Sequence, residues 1–373
     1  MKDRIVVLGA GYAGLGAAKR AARRLRGTGA RMTLVNASDR FVERVRLHQL
    51  AAGQRLPDLP LATLLEGTGV ELVVARVTGI DPEARTVRLD TPPYTLHYDV
   101  LVYALGSGAE PAAVPGAREH AYSLTTADEA VRLGRRVARA QRVTVVGGGL
   151  TGIEAATEFA FTRPGLRVEL LSAGLVGEGL SVRARRHIHR AFARMGIDVR
   201  EHTQVAKIDP DGALLESGDE LRADTVVWAA GFRVPELAAQ AGLATDRHGR
   251  MLVDRALRSV SHPDVFAAGD AAAADRSGRP TRMACQTGLP MGMYAGEAVA
   301  DLLTGREPRR ALFRYVWQNI SLGRHDAVTQ FTRPDDTSLE TVMTGRPSAA
   351  FKEAILRGTV WAMRHSGPYR PIM

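Results

Sequence analysis

Two glycine-rich segments of the same kind constrain this chain of 373 residues more than any other feature. The first, residues 9–14 (GAGYAG), directly follows the apolar run 5–8, and the second, residues 147–152 (GGGLTG), directly follows the apolar run 143–146. Each lies where a buried strand should turn into a helix. At such a turn, glycines let the backbone approach a pyrophosphate, and the helix N-terminus favours its negative charge. The pair predicts a chain with two dinucleotide-binding units.

The apolar runs around these loops repeat one order of strands and helices. In the first unit, further strands are expected over residues 32–35, 70–74 and 86–89, and a strand with its glycine turn over 99–107. In the second unit, strands are expected over 142–146 and 167–171, a helix over about 151–161, and a strand with its glycine turn over 224–231. The fold class is therefore expected to be α/β, with two Rossmann-like units related by internal duplication.

Composition places the chain among globular proteins, with 24% charged residues and no run of about 18 apolar residues that could span a bilayer. Residues 1–4 lead directly into the first expected strand, so no signal peptide is expected. Cys285 is the only cysteine, which excludes an internal disulfide and a multi-cysteine metal site. We expect no metal centre, and a reduced, cytoplasmic compartment.

The net charge of +10 leaves three explanations open. The basic residues are almost all arginines spread along the chain, and a composition bias produces this pattern without any partner. Attraction to an anionic membrane or an acidic protein is the second explanation, and nucleic acid is the third. No nucleic-acid motif or interleaved aromatic residues accompany the charge, so no nucleic-acid partner is expected.

Residues 265–270 (VFAAGD) give the chain a family resemblance. With the two glycine loops and the two Ala-x-Gly turns, this segment resembles the glutathione-reductase-like superfamily of flavoproteins with two dinucleotide-binding domains. The resemblance covers residues 1 to about 305. It implies that FAD lies on the first loop, with Asp270 hydrogen-bonded to the ribityl chain, and that NADH or NADPH lies on the second loop.

The same resemblance implies a domain order and a set of cofactor contacts. An NAD(P)H-binding domain over residues 116–253 is expected to interrupt an FAD-binding domain over residues 1–115 and 254–306, followed by a C-terminal interface segment over 307–373. Expected contacts of the first unit and the flavin are Gly9, Gly11, Tyr12, Ala13, Gly14, Asn36, Arg44, Val77, Ala104, Gly106, Gly269, Asp270 and Gln286. Expected contacts of the second unit are Gly147, Gly149, Leu150, Thr151, Gly152, Glu154, Ser172, Ala230 and Gly231.

The segment after the second strand distinguishes branches of this superfamily. Disulfide reductases carry a Cys-x4-Cys pair there, and this chain lacks it, which excludes thiol–disulfide chemistry. Residues 47–53 (LHQLAAG) instead resemble type II NADH dehydrogenases and apoptosis-inducing-factor-like proteins, in which this segment packs near the isoalloxazine. Arg44, Arg46 and His48 then place positive charge or a proton donor beside the flavin. The alternative is that they lie on a surface helix.

The helix after the second loop carries Glu154 and Glu158, four residues apart and therefore on one face. Their pattern is similar to the G-x-E-x-A-x-E pattern of type II dehydrogenases, in which the first glutamate lies near the nicotinamide. This resemblance makes Glu154 a candidate catalytic residue together with His48. The alternative is that both acids only complement the helix dipole.

Three positions depart from the family pattern. Where the family has a carboxylate for the ribose, the first unit has Asn36, which still forms hydrogen bonds, and the second has Ser172. Ser172, with an arginine such as Arg183, could take a 2′-phosphate, so the choice between NADH and NADPH stays open. In the segment where quinone-reducing relatives carry two glutamines, Gln286 matches the first and Pro290 replaces the second, while Cys285 beside it is expected to be buried.

The C-terminal residues 349–363 are amphipathic, with Phe351 and Ile355 on the apolar face and Lys352 off it, and Gly358 is expected to interrupt them. This segment is compatible with peripheral contact at the inner face of the membrane, as in type II dehydrogenases, and equally with packing on the chain itself or on a second copy in a homodimer.

The predicted function is a two-step transfer, from NAD(P)H to FAD and then to an acceptor near Gln286. The favoured acceptor is a quinone or quinone-like small molecule. The alternatives are an acidic electron carrier of the ferredoxin or rubredoxin type, a small-molecule oxidation in biosynthesis, and a flavin-binding sensor or interaction protein of the apoptosis-inducing-factor-like kind.

Overall fold

The computed structural model describes residues 3–109, 114–276 and 279–365, so residues 366–373 of the expected C-terminal segment lie outside it. The strands are β1 Arg4–Leu8, β2 Arg31–Asn36, β3 Val70–Val74, β4 Val77–Asp81, β5 Thr86–Leu89, β6 Thr95–His97, β7 Val100–Tyr103, β8 Gly108–Ala109, β9 Ala121–Ser123, β10 Arg142–Val146, β11 Arg167–Leu171, β12 Asp198–Arg200, β13 Val205–Asp209, β14 Gly212–Leu215, β15 Glu220–Arg222, β16 Thr225–Trp228, β17 Phe232–Arg233, β18 Met251–Leu252, β19 Val265–Ala267, β20 Ala272–Ala273, β21 Asp275–Arg276, β22 Arg279–Pro280, β23 Trp317–Ser321, β24 Ala327–Thr332 and β25 Ser338–Thr344. The helices are α1 Tyr12–Arg24, α2 Leu47–Ala51, α3 Leu61–Leu65, α4 Ala117–His120, α5 Ala127–Val137, α6 Leu150–Thr162, α7 Val182–Met195, α8 Leu237–Gln240, α9 Cys285–Leu303 and α10 Gly345–Arg364.

Two five-stranded parallel sheets form the centres of the two units. Their strand orders are β3-β2-β1-β7-β19 and β12-β11-β10-β16-β9, so four strands follow the same order in both. The fifth strand differs, because β19 comes from beyond the second unit and β9 comes from before β10. This topology confirms the expected α/β fold, with one Rossmann-like unit inserted into the other.

Helix α9 lies directly on α1, and small residues make this approach possible. A Cβ on Gly292 would collide with the carbonyl oxygen of Ala13, and a Cβ on Gly296 would collide with that of Ala17. Neither collision arises with glycine, so the two backbones pack without intervening side chains. The packing brings the N-terminal end of α9 beside the first glycine loop, where the backbone N–H of Gly269 also contacts Met291 Sδ at 3.0 Å.

The C-terminal segment forms a layer over the second unit. The antiparallel sheet β23-β24-β25 packs on α6, since Ile320 and Val328 share an apolar cluster with Phe159. Helix α10 lies on this sheet, and the hydroxyls of Ser348 and Thr329 are 2.7 Å apart. Within the described ranges, the candidate amphipathic helix is thus packed on its own chain.

Two expectations about α10 were wrong. The helix continues through Gly358 to Arg364 without a break. Lys352 lies on its buried side with Leu356 and Met363, because that side faces a carboxylate of the second unit. The far end of α10 is tied to the first unit, where Lys19 Nζ donates to the carbonyl oxygen of Met363 at 2.5 Å. Across the residues that the structure covers, no helix combines the length and the apolar character needed to cross a membrane.

Candidate active site

The first glycine loop forms an open cradle at the N-terminus of α1. Gly9 has a left-handed φ of 92°, and a Cβ there would collide with the carbonyl oxygen of Ala104. A Cβ on Gly14 would collide with Gly9, whereas the space beside Gly11 is open for 4 Å. In the part of the chain that the structure describes, no side chain caps Gly11, so the first N–H groups of α1 stay available. The loop has the space and the donors that a pyrophosphate requires.

The second loop repeats this geometry at the N-terminus of α6, whose first residues are Leu150 and Thr151. Gly147 has a φ of 128°, and a Cβ there would stand 2.7 Å from the backbone of Ala229. A Cβ on Gly152 would collide with the carbonyl oxygen of Gly147, while the space beside Gly149 is open for 4 Å. Both loops therefore fit the pyrophosphate of a dinucleotide.

Asp270 lies next to the first cradle and is already held by two polar groups. Its Oδ2 accepts a hydrogen bond from Ser107 Oγ at 2.6 Å, and Arg44 Nη1 is 3.9 Å away. A Cβ on the neighbouring Gly269 would stand 2.9 Å from the Cβ of Ala13. This places a carboxylate, which can accept a hydrogen bond from a hydroxyl, beside the loop, so the residues present fit FAD.

Asn36, at the end of β2, holds the first loop through its side-chain amide. Its Oδ1 accepts from the backbone N–H of Ala10 at 2.9 Å, and its Nδ2 donates to the carbonyl oxygen of Ser38 at 2.8 Å. Both ends of the amide are thus used to hold the loop. A contact of Asn36 with the ribose stays a prediction, as does that of Val77, which begins β4.

The other predicted contacts lie around the two cradles. Tyr12 is the first residue of α1 and is buried, with its ring edge-on to Phe41 at 5.0 Å between centroids. Gly106 has a φ of 70° and lies beside Arg44. Ala230 and Gly231 follow Ala229 after the end of β16, and the backbone of Ala230 lies next to Gly147 of the second loop.

Glu154, the fifth residue of α6, is the centre of a buried charged cluster. Its Oε1 is ion-paired with Lys352 Nζ of α10 and accepts from the backbone N–H of Ser321 at 2.9 Å. Its Oε2 is 3.7 Å from His48 Nδ1. Burial acts to raise the pKa of Glu154, but Lys352 and His48 outweigh it and hold that pKa below its ordinary value. Glu154 is therefore an ionised carboxylate under α10.

His48 links Glu154 to a second carboxylate. Its Nε2 is 4.0 Å from Oε2 of Glu158, and among the described residues neither of these two buried atoms has a hydrogen-bond partner. Oε1 of Glu158 is bonded to Gln54 Nε2 and lies 3.4 Å from Arg324 Nε. Burial lowers the pKa of His48 to about 4, so its imidazole is neutral at physiological pH. Burial raises the pKa of Glu158, which makes it the carboxyl of this cluster that holds a proton most readily.

These positions exclude a surface helix as the setting of His48 and Arg46, both of which are buried. Arg46 is paired with Glu43 at 3.1 Å and with Glu353 of α10 at 2.9 Å. Positive charge or a proton donor was expected at His48, and desolvation favours its neutral form, which leaves the role of a proton donor as the prediction for this residue.

A cleft of about 300 Å³ opens beside this cluster, between α10, α2 and the turn after β23. Lys352, Arg324 and Arg46 are among its lining residues, together with Gln49 and Glu353. The cleft provides space next to the Glu154–Lys352 pair for a small polar molecule.

The N-terminal end of α9 contributes a neighbouring group. Oε1 of Gln286 accepts from Arg282 Nη1 at 3.3 Å, and Arg282 is ion-paired with Asp336. Cys285 is half-buried, and desolvation raises the pKa of its thiol to about 11. The charge of Lys352 acts to lower this pKa, and that of Glu154 acts to raise it. Cys285 is therefore a neutral thiol at the start of α9, beside Gln286.

The sequence reasoning missed Lys352 and Arg324, the two cations that balance Glu154 and Glu158. A signal for Lys352 existed: it is one of four lysines in an arginine-rich chain, and it stands four residues before Leu356 on the same helical stripe. No comparable signal marks Arg324, which lies in the turn between β23 and β24 and pairs only through tertiary structure.

Fold and site together define a flavoprotein with two dinucleotide-binding units. The chain belongs to the pyridine nucleotide-disulphide oxidoreductase family, whose sequence pattern matches residues 3–292. FAD and NAD(P)H are its cofactors, as in that family. When bound, FAD accepts a hydride from NAD(P)H and passes electrons on.

Curated relatives cover nearly the whole chain. An NADH dehydrogenase-like protein of Mycobacterium tuberculosis is 36% identical over 94% of this chain and 92% of its own length. A type II NADH:quinone oxidoreductase of Staphylococcus haemolyticus is 26% identical over 95% of this chain and 94% of its own length. The structure of NDH2 from Plasmodium falciparum in complex with NADH shares the fold, with a TM-score of 0.83 at 15% identity, over 98% of this chain and 97% of that one.

Proposed function

We propose that this protein is an FAD-dependent NAD(P)H:quinone oxidoreductase whose acceptor binds in the cleft beside Glu154 and Lys352. The observation that carries the proposal is the ion pair between these two side chains, since α10 brings a buried ammonium group to the start of the helix that follows the second glycine loop. Relatives named type II NADH:quinone oxidoreductase match this chain over 88–96% of its length, a span that reaches into the C-terminal segment.

The overall reaction requires one proton from the protein or solvent. NAD(P)H and one H⁺ reduce a quinone to a quinol, so that two electrons and two protons reach the quinone oxygens. Lys352 has three N–H donors and can stabilise negative charge that develops on a quinone oxygen. Glu154 orients that ammonium group and keeps it paired while the cleft is empty of acceptor.

Glu158 and His48 can supply the proton from the interior. Glu158 has a raised pKa, and His48 stands between it and Glu154 with nitrogens 4.0 and 3.7 Å from the two carboxylates. A neutral imidazole can accept a proton at one nitrogen and release one at the other. The gaps exceed hydrogen-bond length, so transfer requires a small movement or a bridging water.

Gln286 adds an amide N–H₂ at the start of α9, because its Oε1 is turned toward Arg282. Gln286 is not among the described residues that line the cleft, so its role as an amide donor to the acceptor stays a prediction of the sequence. Peripheral contact with the inner face of the membrane is part of the same proposal, since a quinone pool lies in the bilayer. Trp361, 60% exposed on α10, is the side chain we expect to enter the interface.

The test separates the two half-reactions. The purified flavoprotein is reduced anaerobically with NADH or NADPH and then mixed with a water-soluble short-chain quinone or with ferricyanide, which needs no proton. We expect Glu154→Gln to slow the quinone step by at least about tenfold while ferricyanide reduction changes little. A different outcome is a reduced flavin that fails to react with quinones but reacts with an acidic ferredoxin, with turnover that falls as the salt concentration rises. That result would establish a protein acceptor. Bound FAD that NADH and NADPH both fail to bleach would establish a sensor or binding protein.

A further inference from the structure

The end of β11 is where a dinucleotide-binding unit normally holds a carboxylate for the adenosine ribose. Here that residue is Ser172, and it is buried at 5% exposure. Its hydroxyl packs against Gly148, since a Cβ on that glycine would collide with Oγ of Ser172. Ser172 therefore packs against the second glycine loop, and it offers no carboxylate to the ribose.

Glu201 stands one strand away from that position. Strands β11 and β12 run parallel with Leu171 opposite Arg200, so the register continues to Ser172 opposite Glu201. Oε1 of Glu201 accepts from the backbone N–H of Val176 at 2.7 Å. Val176 in turn lies against Gly148, with its Cα 3.3 Å from the place of a Cβ there. The carboxylate is thus attached to the edge of the second cradle.

The remaining contacts of Glu201 leave it able to bind a hydroxyl. Its other described partner, His189 Nε2 at 3.4 Å, also approaches Oε1, so Oε2 keeps its capacity to accept. The side chain is 25% exposed, which places it at the surface of the cradle and within reach of a ligand.

The charges around this edge are unfavourable for a phosphate. The loop over residues 172–180 contains no lysine, arginine or histidine, and it carries a second carboxylate in the exposed Glu178. Arg200 is ion-paired with Glu169, with 2.7 Å between Nε and Oε1. Arg185 lies near the loop, with its Cγ 3.6 Å from the place of a Cβ on Gly177, and His189 lies beside Glu201 itself.

We propose that Glu201 replaces the missing strand-end carboxylate, accepts a hydrogen bond from the ribose 2′-hydroxyl and so selects NADH over NADPH. The 2′-phosphate of NADPH would bring its negative charge against Glu201 and Glu178 with no cation in the loop to receive it. The inference rests on the proposed function only in taking the second cradle as the coenzyme site.

The test measures binding directly and needs no turnover. The FAD-loaded protein is titrated calorimetrically with NAD⁺ and with NADP⁺, which cannot reduce the flavin. We expect NAD⁺ to bind at least about tenfold more tightly. Glu201→Gln keeps an acceptor for the N–H of Val176 but removes the negative charge. The variant should therefore bind NAD⁺ more weakly and NADP⁺ more tightly, and the ratio of the two affinities should fall by about tenfold or more. Glu220→Gln, an exposed acid on β15, is the matched control and should change neither.

Three results would overturn the inference. The first is a native protein that binds NADP⁺ as tightly as NAD⁺. The second is an equal loss of affinity for NAD⁺ and NADP⁺ in Glu201→Gln, which would show that the carboxylate only holds the loop. The third is a preference for NADP⁺ that disappears in Arg185→Ala. A protein that binds NAD⁺ selectively but reduces no quinone would refute the proposed function and leave this inference intact.

Discussion

The two dinucleotide-binding units share a loop and a strand order, but the helices that follow the loops carry different residues at equivalent places. Two residues after the last loop glycine, the first unit has Gly16 and the second has Glu154; six residues after it, they have Arg20 and Glu158. Gly16 lies against Leu289 of α9, whereas Glu154 faces Lys352 of α10. The same architecture thus presents a packing surface in one unit and buried charge in the other.

We infer from this difference that the glycine motif sets where a dinucleotide binds, while the elements packed on the following helix set what else the site can do. Small residues of α9 bring its backbone against that of α1, and the polar contacts between the two helices are ion pairs such as Arg20–Glu297 beside this seam. Helix α6 is covered by β23 and α10, and these bring a backbone N–H and an ammonium group to its carboxylates. Four predictions test this contrast.

The largest effects are expected for the matched substitutions Gly14→Val and Gly152→Val. Each side chain would collide with the first glycine of its own loop, Gly9 or Gly147. Gly14→Val should be purified without FAD. Gly152→Val should keep its yellow colour but lose flavin reduction by NADH by more than about 100-fold. Flavin absorbance and stopped-flow bleaching measure both, and Gly358→Ala on α10 is the control. Normal FAD content in Gly14→Val would contradict the equivalence of the loops.

Lys352→Met should come next, because it leaves the Glu154 carboxylate buried without its cation. We expect a loss of about 3 kcal/mol in the free energy of unfolding, measured by urea titration, since an unpaired buried charge is costly. The double variant Glu154→Gln/Lys352→Met should recover most of that loss. The quinone step should slow in both. If Lys352→Met is as stable as the native protein, the Glu154 carboxylate is solvated and does not need Lys352 as its counter-ion.

The sequence predicts the parts of this molecule that depend on local pattern. Strands β3, β5, β10 and β11 have the expected limits because apolar runs and turn residues specify them locally. The loops and Asp270 also follow from motifs. Lys352, Arg324 and Glu201 do not, because each acts through a residue far away in the chain, and only the tertiary packing of α10, the β23–β24 turn and β12 brings them to the site.

The pH dependence of stability should expose the buried part of the second unit. His48 has a folded pKa of about 4, below the ordinary 6.5, so the unfolded chain binds its proton more strongly. The stability from neutral His48 is complete above about pH 6.5 and is lost as the pH falls toward 4, amounting to about 3 kcal/mol. The raised pKa of Glu158 acts oppositely, since its contribution falls as the pH rises.

The measurement is the difference between the native protein and His48→Gln, from urea unfolding at pH 7.5 and pH 4.5. The native protein should lose about 2–3 kcal/mol more than the variant over this range. His97→Gln, on β6 at the surface, should behave as the native protein does. Equal losses in all three proteins would mean that His48 is solvated.

The smallest effect is expected at Arg20, the counterpart of Glu158. Arg20 is ion-paired with Glu297 of α9, and the two side chains are 18% and 24% exposed, so solvent already weakens their attraction. Arg20→Gln should cost about 1 kcal/mol or less in urea unfolding and leave FAD content, flavin reduction and the quinone step unchanged. Arg20 and Glu158 occupy equivalent places after their loops. If Arg20→Gln slows the quinone step as much as Lys352→Met does, the proposed distinction fails, because α1 would then contribute to the reaction as α6 does.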